Sequence, residues 1–335
     1  MQKRFELPCS RNTLAVCLLF LSTSLLAQQS RSHATSNTAV AVPAVSANPS
    51  QVAILRWYRD NHSATFVVGK GPGQVAFDGS NMWVANSTGN SVTKLRASDG
   101  AVLGAFPAGE SPSGLAFDGQ HIWVADQGGS RVMELNASDG KSLGIFQVGF
   151  SPFGVAFDGA NIWVVNLGSN NVTKLRVPDG KVLGTFPVGA SPQGIAFDGA
   201  NMWIANTAES TVSKLRVADG KLLGTFPVGT GPVALAFDGT SMWVVNQGSN
   251  NVNQLQISDG SVLATYSVGA LPSTVVFDGA NMWITNFSSN TLTELRASDG
   301  AVLGTFPTGP FPEGAAFDGA NIWVVNAGNN TVSKH

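Results

Sequence analysis

Short apolar runs separated by turn residues recur along the chain, and the same pattern returns every 40 residues. Residues 194–229 show one unit, in which GIAFD, MWIAN, TVSKL and LGTFPVG are separated by Asp-Gly-x-Asn, a polar loop and Asp-Gly. Runs of this length and composition predict strands, and Asp-Gly predicts tight reversals between them. Each unit is therefore predicted to be a four-stranded antiparallel meander, whose strands we call A, B, C and D.

Tryptophan marks the repeat. Seven of the eight Trp residues occupy one position of strand B, with no insertion or deletion between them: Trp83, Trp123, Trp163, Trp203, Trp243, Trp283 and Trp323. A 40-residue period is typical of propeller blades, solenoids or helical arrays, and the strand pattern favours the propeller. The sequence thus predicts an all-β fold over residues 51–335, a seven-bladed β-propeller of four-stranded antiparallel blades.

The two ends of the repeat region predict how the ring closes. A D strand at 65–69 precedes the first A strand, whereas 331–335 form a C strand with no D strand after it. The N-terminal strand is therefore expected to complete the last blade and to cover its exposed edge. Residues 52–56 also resemble a C strand, which would be surplus and has no place in this scheme.

The residues that recur in every blade are interpreted as structural. The Trp ring is expected to be core between blades, because identical aromatic residues at one strand position are more often core than an array that stacks on a ligand. The Asp of Phe-Asp-Gly is expected to hydrogen-bond to its own turn. The polar residue that ends strand B is expected to satisfy backbone groups; it is Asp126 in blade 2 and Asn in the other blades, at Asn86, Asn166, Asn206, Asn246, Asn286 and Asn326.

The N-terminus has the pattern of a cleavable signal peptide. Lys3, Arg4 and Arg11 precede an apolar run at 14–26 that is too short to span a bilayer. We interpret residues 1–34 as the signal peptide, with cleavage after Ala34 or after Ala27, and residues 35–50 as a flexible linker. The mature protein is then expected to be secreted or periplasmic, with no membrane span.

Composition narrows the classes of function. The net charge is -2 and there is no basic block, which argues against nucleic acid as a partner. Both cysteines, Cys9 and Cys17, fall within the signal peptide, so the mature chain has no disulfide or thiol chemistry. No cofactor motif and no metal-ligand spacing is found, and we expect a monomer without cofactor or metal.

The repeats differ from one another mainly on one face of the predicted ring, formed by the D-to-A and B-to-C loops, which we call the variable-loop face. A ligand or partner that breaks the ring symmetry would need such a face, although neutral drift in surface loops would also produce it. Charged and aromatic side chains there could form a polar pocket with apolar walls. The candidate binding residues are Lys70, Glu110, Asp126, Arg131, Phe150, Phe153, Phe311 and Glu313.

The strand B motifs WVAN (83–86), WIAN (203–206) and WITN (283–286) resemble the YVTN family of β-propeller repeats, with Trp in place of Tyr. The resemblance covers residues 54–335 in register. The segment SPQGIA (191–196) is also similar to segments of NHL-type propellers and of streptogramin (virginiamycin B) lyases. The resemblance implies the propeller fold and says little about activity.

Two kinds of function are compatible with this sequence. We expect a non-enzymatic exported module that binds an unknown protein or small molecule on the variable-loop face. The alternative is a propeller enzyme of the streptogramin lyase or lactonase type. The family resemblance implies a catalytic His for a lyase, but the only histidines are His33, His62, His121 and His335, and His121 falls in an A-to-B turn on the invariant face. The scattered rim carboxylates also give no evident cation site for a lactonase. No catalytic residue is therefore assigned.

Overall fold

The computed structural model describes residues 64–177 and 179–335. The predicted signal peptide, the predicted linker and the surplus run at 52–56 lie outside the described residues. Within the described part of the chain, 28 strands form seven four-stranded antiparallel sheets, and the one helical segment is the 3-10 turn Ala327–Asn329. This is the seven-bladed β-propeller that the repeat pattern predicted.

The strands fall into four classes, which match the predicted order within each blade. The A strands are β2 (Pro72–Phe77), β6 (Pro112–Phe117), β10 (Pro152–Phe157), β14 (Pro192–Phe197), β18 (Pro232–Phe237), β22 (Pro272–Phe277) and β26 (Pro312–Phe317). The B strands are β3 (Asn81–Asn86), β7 (His121–Asp126), β11 (Asn161–Asn166), β15 (Asn201–Asn206), β19 (Ser241–Asn246), β23 (Asn281–Asn286) and β27 (Ile322–Asn326). The C strands are β4 (Ser91–Arg96), β8 (Arg131–Asn136), β12 (Asn171–Arg176), β16 (Thr211–Arg216), β20 (Asn251–Gln256), β24 (Thr291–Arg296) and β28 (Thr331–Lys334). The D strands are β5 (Val102–Pro107), β9 (Ser142–Gln147), β13 (Val182–Pro187), β17 (Leu222–Pro227), β21 (Val262–Ser267), β25 (Val302–Pro307) and β1 (Ala64–Val67).

The N-terminal strand closes the ring, as predicted. The strand order of the last blade is β1-β28-β27-β26, and the register pairs Ala64 with Lys334 and Val67 with Thr331. Phe66 packs against Trp323 with ring centroids 5.4 Å apart, and the D-strand aromatic residue of every other blade packs against its own Trp at a similar distance. The first strand of the described chain therefore supplies the missing D strand of the last blade.

The B strands carry the core between blades. All seven repeated Trp side chains are buried, and Trp83 packs with Ile122 and Leu135 of the following blade. In every blade the indole Nε1 donates to the Phe-Asp-Gly carboxylate at 2.7–2.8 Å. That carboxylate also accepts backbone N–H groups of its own turn, for example at 2.8 Å from Ala200 and 2.6 Å from Asn201 to Asp198. Both the Trp prediction and the Asp prediction are confirmed.

The prediction for the Asn that ends strand B is wrong in six blades. The Asn86 side-chain nitrogen donates to the hydroxyls of Ser91 and Thr93 on the adjacent C strand rather than meeting backbone groups. The other five donate to side-chain oxygens of their own C strands, which are hydroxyls in blades 4, 6 and 7, an Asn amide oxygen and a hydroxyl in blade 3, and two Asn amide oxygens in blade 5. The Oδ1 atoms of all six strand B Asn residues are buried without a hydrogen-bond partner among the described residues. Strand C places polar side chains beside this amide nitrogen, and they accept its hydrogen bonds in place of backbone groups. Only Asp126 binds backbone N–H groups, as described below.

In four blades the neighbouring A strands approach so closely that glycine is needed between them, at Gly114, Gly154, Gly194 and Gly314. A Cβ on Gly114 would lie 2.1 Å from the carbonyl oxygen of Phe153, and one on Gly154 would lie 2.4 Å from that of Gln193. Ser113 also donates its hydroxyl to the Phe153 carbonyl at 3.2 Å. The A strands therefore form a tight inner ring that holds adjacent blades in fixed positions. No helix in the described part of the chain has the length and apolar character to cross a membrane.

Candidate functional site

The loops of the variable-loop face are tied together by repeated hydrogen bonds. In each blade the start of the B-to-C loop donates a backbone N–H to the D-to-A loop beside it, as Gly128 does to the Glu110 carbonyl at 2.8 Å. At the end of five B-to-C loops an Asn side chain accepts a hydrogen bond from a backbone N–H of the next D-to-A loop. In blade 1, for example, Asn90 Oδ1 accepts from the Ser111 N–H at 3.0 Å. The face is thus a continuous, preorganised rim.

Blade 2 carries a polar cluster on this rim, formed by Glu110, Asp126 and Arg131. Asp126 is fully buried, and its Oδ1 accepts the backbone N–H groups of Glu110 at 2.6 Å and Gly129 at 3.0 Å. Its Oδ2 accepts from Arg131 Nε at 2.5 Å. Asp126 therefore holds the Arg131 side chain and the Glu110 loop in place, while the Glu110 side chain is exposed and Arg131 is partly exposed.

Blade 2 differs from three other blades in the acceptor that binds the D-to-A loop. In three other blades the equivalent D-to-A N–H is bound by a serine hydroxyl, as Phe150 N is by Ser169 Oγ at 2.7 Å. Blade 2 has Gly129 at that position, which offers no hydroxyl. Asp126 supplies the missing acceptor, and its charge is balanced by Arg131.

An apolar cluster lies on the same face at blades 6 and 7 and consists of Leu271, Phe287 and Phe311. The rings of Phe287 and Phe311 stack with centroids 5.0 Å apart, yet Phe311 is 47% exposed and Leu271 41% exposed. Leu271 and Phe311 have left-handed backbone, with φ of 48° and 54°. The equivalent positions of the other blades hold Gly or Ser: Gly71, Ser111, Ser151, Ser191 and Gly231.

Left-handed backbone is costly for bulky residues, by about 1–2 kcal/mol. Leu271 and Phe311 accept this conformation while contributing exposed surface rather than core. Of these three residues only Phe311 was among the sequence-based candidates. The signal that could have found Leu271 is the replacement of Gly or Ser by large apolar residues at one loop position of two adjacent repeats.

The remaining candidates lie on the same face but are not brought into one contact set. Phe153 and Glu313 are half-buried on the A strands β10 and β26, and burial raises the pKa of the Glu313 carboxyl. Lys70 and Phe150 are exposed on the D-to-A loops that flank the polar cluster in sequence. Among the described residues neither side chain forms a hydrogen bond or ion pair with Glu110 or Arg131.

The two histidines within the described residues lie on the opposite face, which carries the Asp-Gly turns. His121 begins strand β7 directly after an A-to-B turn. His335 is paired through its backbone with Ile322 at the start of β27, and its Nε2 lies 2.8 Å from Ser333 Oγ. Burial lowers the pKa of His335 to about 4. Neither residue can serve a reaction on the variable-loop face.

Comparison with known proteins supports the fold. No protein-family model and no curated protein matches the chain. A solved structure of a catalytically inactive virginiamycin B lyase from Staphylococcus aureus with quinupristin matches with a TM-score of 0.70 at 16% identity, covering 82% of this chain and 99% of that one. The chain has the fold of a streptogramin B lyase.

Two further matches show how widely this fold is used. A structure titled as a streptogramin B lyase matches with a TM-score of 0.69 at 18% identity, covering 82% of this chain and 96% of that one. Hydrazine synthase from Kuenenia stuttgartiensis matches with a TM-score of 0.67 at 16% identity, covering 80% and 96%. The propeller implied by the resemblance to YVTN repeats is thus confirmed, and at these identities the matches establish the fold alone.

Proposed function

We propose that this protein is an exported, non-enzymatic binding module whose ligand docks on the variable-loop face. The observation that carries the proposal is the apolar cluster of Leu271, Phe287 and Phe311, two of whose residues are exposed on left-handed backbone. Strained backbone concentrates at sites of function, because the surrounding structure must hold it in place. Exposed aromatic side chains on a rigid rim are typical anchors for a partner.

The ligand is proposed to be a small molecule or a peptide with both apolar and polar groups. Its apolar part would contact the apolar cluster, and its polar part would face the charged side chains of the same rim, among them Lys70, Glu110 and Arg131. Because the loops are already tied to each other, little conformational entropy would be lost on binding. Export rests on the N-terminal signal pattern alone.

The apolar part of this proposal can be tested with the dye 1-anilinonaphthalene-8-sulfonate, an aromatic anion that fluoresces in apolar surroundings. The double variant Leu271→Ser with Phe311→Ser introduces the residue that three other blades carry at this left-handed position. We expect it to fold normally and to lose most of the dye fluorescence of the native protein. The control is Leu223→Ser, which removes an equally exposed leucine (46%) from the outer strand β17 and should leave the fluorescence unchanged. Equal fluorescence in all three proteins would contradict the proposal.

A screen of peptides and small molecules by thermal shift then identifies ligands, since anything that binds the folded state raises the melting temperature. A hit should lose its shift in the Leu271→Ser, Phe311→Ser variant or in Arg131→Gln. Hits that are insensitive to every change on this face would place the binding site elsewhere.

The enzyme alternative is supported by the fold it shares with the lyases. Incubation of the protein with quinupristin, followed by mass spectrometry, tests it directly. We expect the quinupristin to remain intact, because both described histidines lie on the opposite face of the ring. Turnover of quinupristin would overturn the non-enzymatic proposal.

A further inference from the structure

Blade 2 departs from the repeat at two positions on the Asp-Gly turn face. The position of His121 holds Asn in five blades and Ser in one, and the position of Glu134 holds Lys in four. The two positions are 13 residues apart in sequence, on the adjacent strands β7 and β8. The two changes therefore meet in space beside the turn residue Asp118.

Glu134 replaces a lysine that links blades. In blades 1, 3, 4 and 7 the lysine Nζ lies 4.8–5.3 Å from the centroid of the Trp ring and donates to a backbone carbonyl of the next blade. A carboxylate cannot make either contact. Instead the Glu134 side chain, only 6% exposed, places Oε1 3.2 Å from His121 Nδ1.

The same imidazole nitrogen also meets Asp118. His121 Nδ1 lies 3.1 Å from Asp118 Oδ2. Asp118, His121 and Glu134 each offer one atom that could bind a metal ion, and these three atoms lie within 4.8 Å of one another. Zinc bonds of about 2.0–2.2 Å hold neighbouring ligand atoms roughly 3.0–3.6 Å apart, depending on the coordination angle. The separations of His121 Nδ1 from the two carboxylate oxygens fall in this range.

Charge also favours a cation between these groups. Two largely buried carboxylates face one nitrogen, which carries at most one proton to share between them. A dication would neutralise both carboxylates and would bind the neutral imidazole through its lone pair.

The Asp118 carboxylate is held in position by groups outside the cluster. Trp123 Nε1 donates to Oδ2 at 2.8 Å, and the backbone N–H groups of Gln120 and His121 donate to Oδ1 at 2.8 and 2.6 Å. Hydrogen bonds of this kind orient metal-ligating carboxylates. Asp118 and His121 also line an open cleft of about 480 Å³, together with Phe157 and Val177 of the next blade, which gives an ion and its water a path from solvent.

We propose that Asp118, His121 and Glu134 bind a divalent transition metal ion, with Zn²⁺ the ion that best matches one imidazole and two carboxylates. Three protein ligands leave a coordination position open toward the cleft, which water or a ligand group can fill. The site lies on the face opposite the variable loops and does not depend on the proposed function.

Blade 6 provides a natural control for the test. It has the aspartate and the glutamate at the equivalent positions, Asp278 and Glu294, but Asn281 in place of the histidine. The variant His121→Asn therefore reproduces an arrangement that the fold already contains and should not disturb folding. The reverse change, Asn281→His, should create a second site in blade 6.

The test uses the purified chain without a polyhistidine tag, freed of metal by a chelator and titrated with ZnCl₂ by isothermal calorimetry. We expect one site in the native protein, at least about tenfold weaker binding in His121→Asn, and recovery of binding when Asn281→His is added. His335→Asn should leave the affinity unchanged. The proposal would be overturned if the native protein bound no stoichiometric zinc, or if the affinity were unchanged in His121→Asn. If the imidazole only bridges the two carboxylates by hydrogen bonds, the native protein will bind no stoichiometric zinc.

Discussion

At the scale of single residues, Asp126 in blade 2 accepts the loop N–H that a serine hydroxyl accepts in three other blades. Gly129 removes the hydroxyl that binds a loop N–H in three other blades, and the Asp126 carboxylate binds that N–H instead. A Cβ on Gly129 would lie 2.4 Å from Asp126 Oδ2, so the two solutions exclude each other. The residues at 126 and 129 should therefore be strongly coupled.

A double-mutant cycle tests this coupling. Asp126→Asn should lower the free energy of unfolding by about 1–2 kcal/mol, because the Glu110 N–H loses its charged acceptor. Gly129→Ser alone should also destabilise, through its clash with Asp126. Combined, the two changes introduce the Asn and Ser of blades 3, 5 and 6 and should cost less than their sum, as measured by urea denaturation. Strict additivity would show that the acceptor exchange is not what links the two positions.

The repeated turn aspartates predict how stability depends on pH. Burial alone would raise the pKa of Asp198, but the Trp203 indole and the turn N–H groups outweigh it, and the pKa is lowered; Asp118, Asp278 and Asp318 behave alike. A carboxyl whose pKa is lowered by folding contributes stability above its unfolded pKa and loses it as the pH falls through the folded value.

We therefore expect the free energy of unfolding to fall as the pH is lowered below about 4, the unfolded pKa of aspartate. Asp198→Asn removes one titrating group, so its stability should fall less steeply over the same range, although it starts lower. Urea denaturation at a series of pH values between 3 and 7 measures both slopes. Parallel curves for the two proteins would rule out this origin of the acid sensitivity.

At the scale of strands, the inner ring depends on glycine at four of the places where A strands meet, among them Gly114. A Cβ on Gly114 would strike the Phe153 backbone, which cannot move without shifting blade 3, whereas a Cβ on Gly73 would meet only the end of the Glu313 side chain at 3.1 Å. Gly114→Ala should lower the free energy of unfolding by about 1–3 kcal/mol. Gly73→Ala, the matched variant, should change it by less than about 0.5 kcal/mol. Equal losses in chemical denaturation would mean that the inner ring is more adaptable than these contacts indicate.

The strands were predictable from the sequence because the 40-residue period and the turn residues repeat without insertion. A strand that is ambiguous in one repeat can therefore be assigned from the equivalent residues of the other six. The Asn residues that end strand B were misjudged because their partners, such as Ser91 and Thr93, lie on the next strand, and register decides which groups they meet. His121 and Glu134 were missed for the same reason, since they contact each other only across β7 and β8.

The candidate face was predicted less completely than the fold. Comparison of repeats identified where the blades differ, and it selected Glu110, Asp126 and Arg131, which do lie together. It could not show that Asp126 is buried and occupied by internal hydrogen bonds, because burial depends on how two loops pack. Nor could it pair Phe287 with Phe311, since their stacking depends on the positions of loops from adjacent blades.

At the scale of the whole molecule, the ring is closed by β1. Phe66 of this strand packs with a cluster that joins Trp323 of the last blade to Met82 and Leu95 of the first. Deleting residues 51–69 should therefore expose the edge of β28 and lower the melting temperature by more than about 10 °C, or cause aggregation.

The control for this deletion is removal of residues 35–50, the predicted linker, which should leave the melting temperature unchanged. Differential scanning calorimetry of the two truncated proteins and the full chain makes the comparison. If the protein without β1 melts like the full chain, closure by the N-terminal strand contributes little to stability.

Closure by β1 also imposes an order of events during synthesis. Among the described strands β1 is made first and β28 last, and the two pair, so the ring cannot close until β28 has been synthesised. Contacts between residues so distant in sequence form slowly, and unpaired strand edges invite association with other chains. The nascent protein must therefore carry β1 unpaired through the synthesis of all seven blades, and that interval is when it is most vulnerable to aggregation.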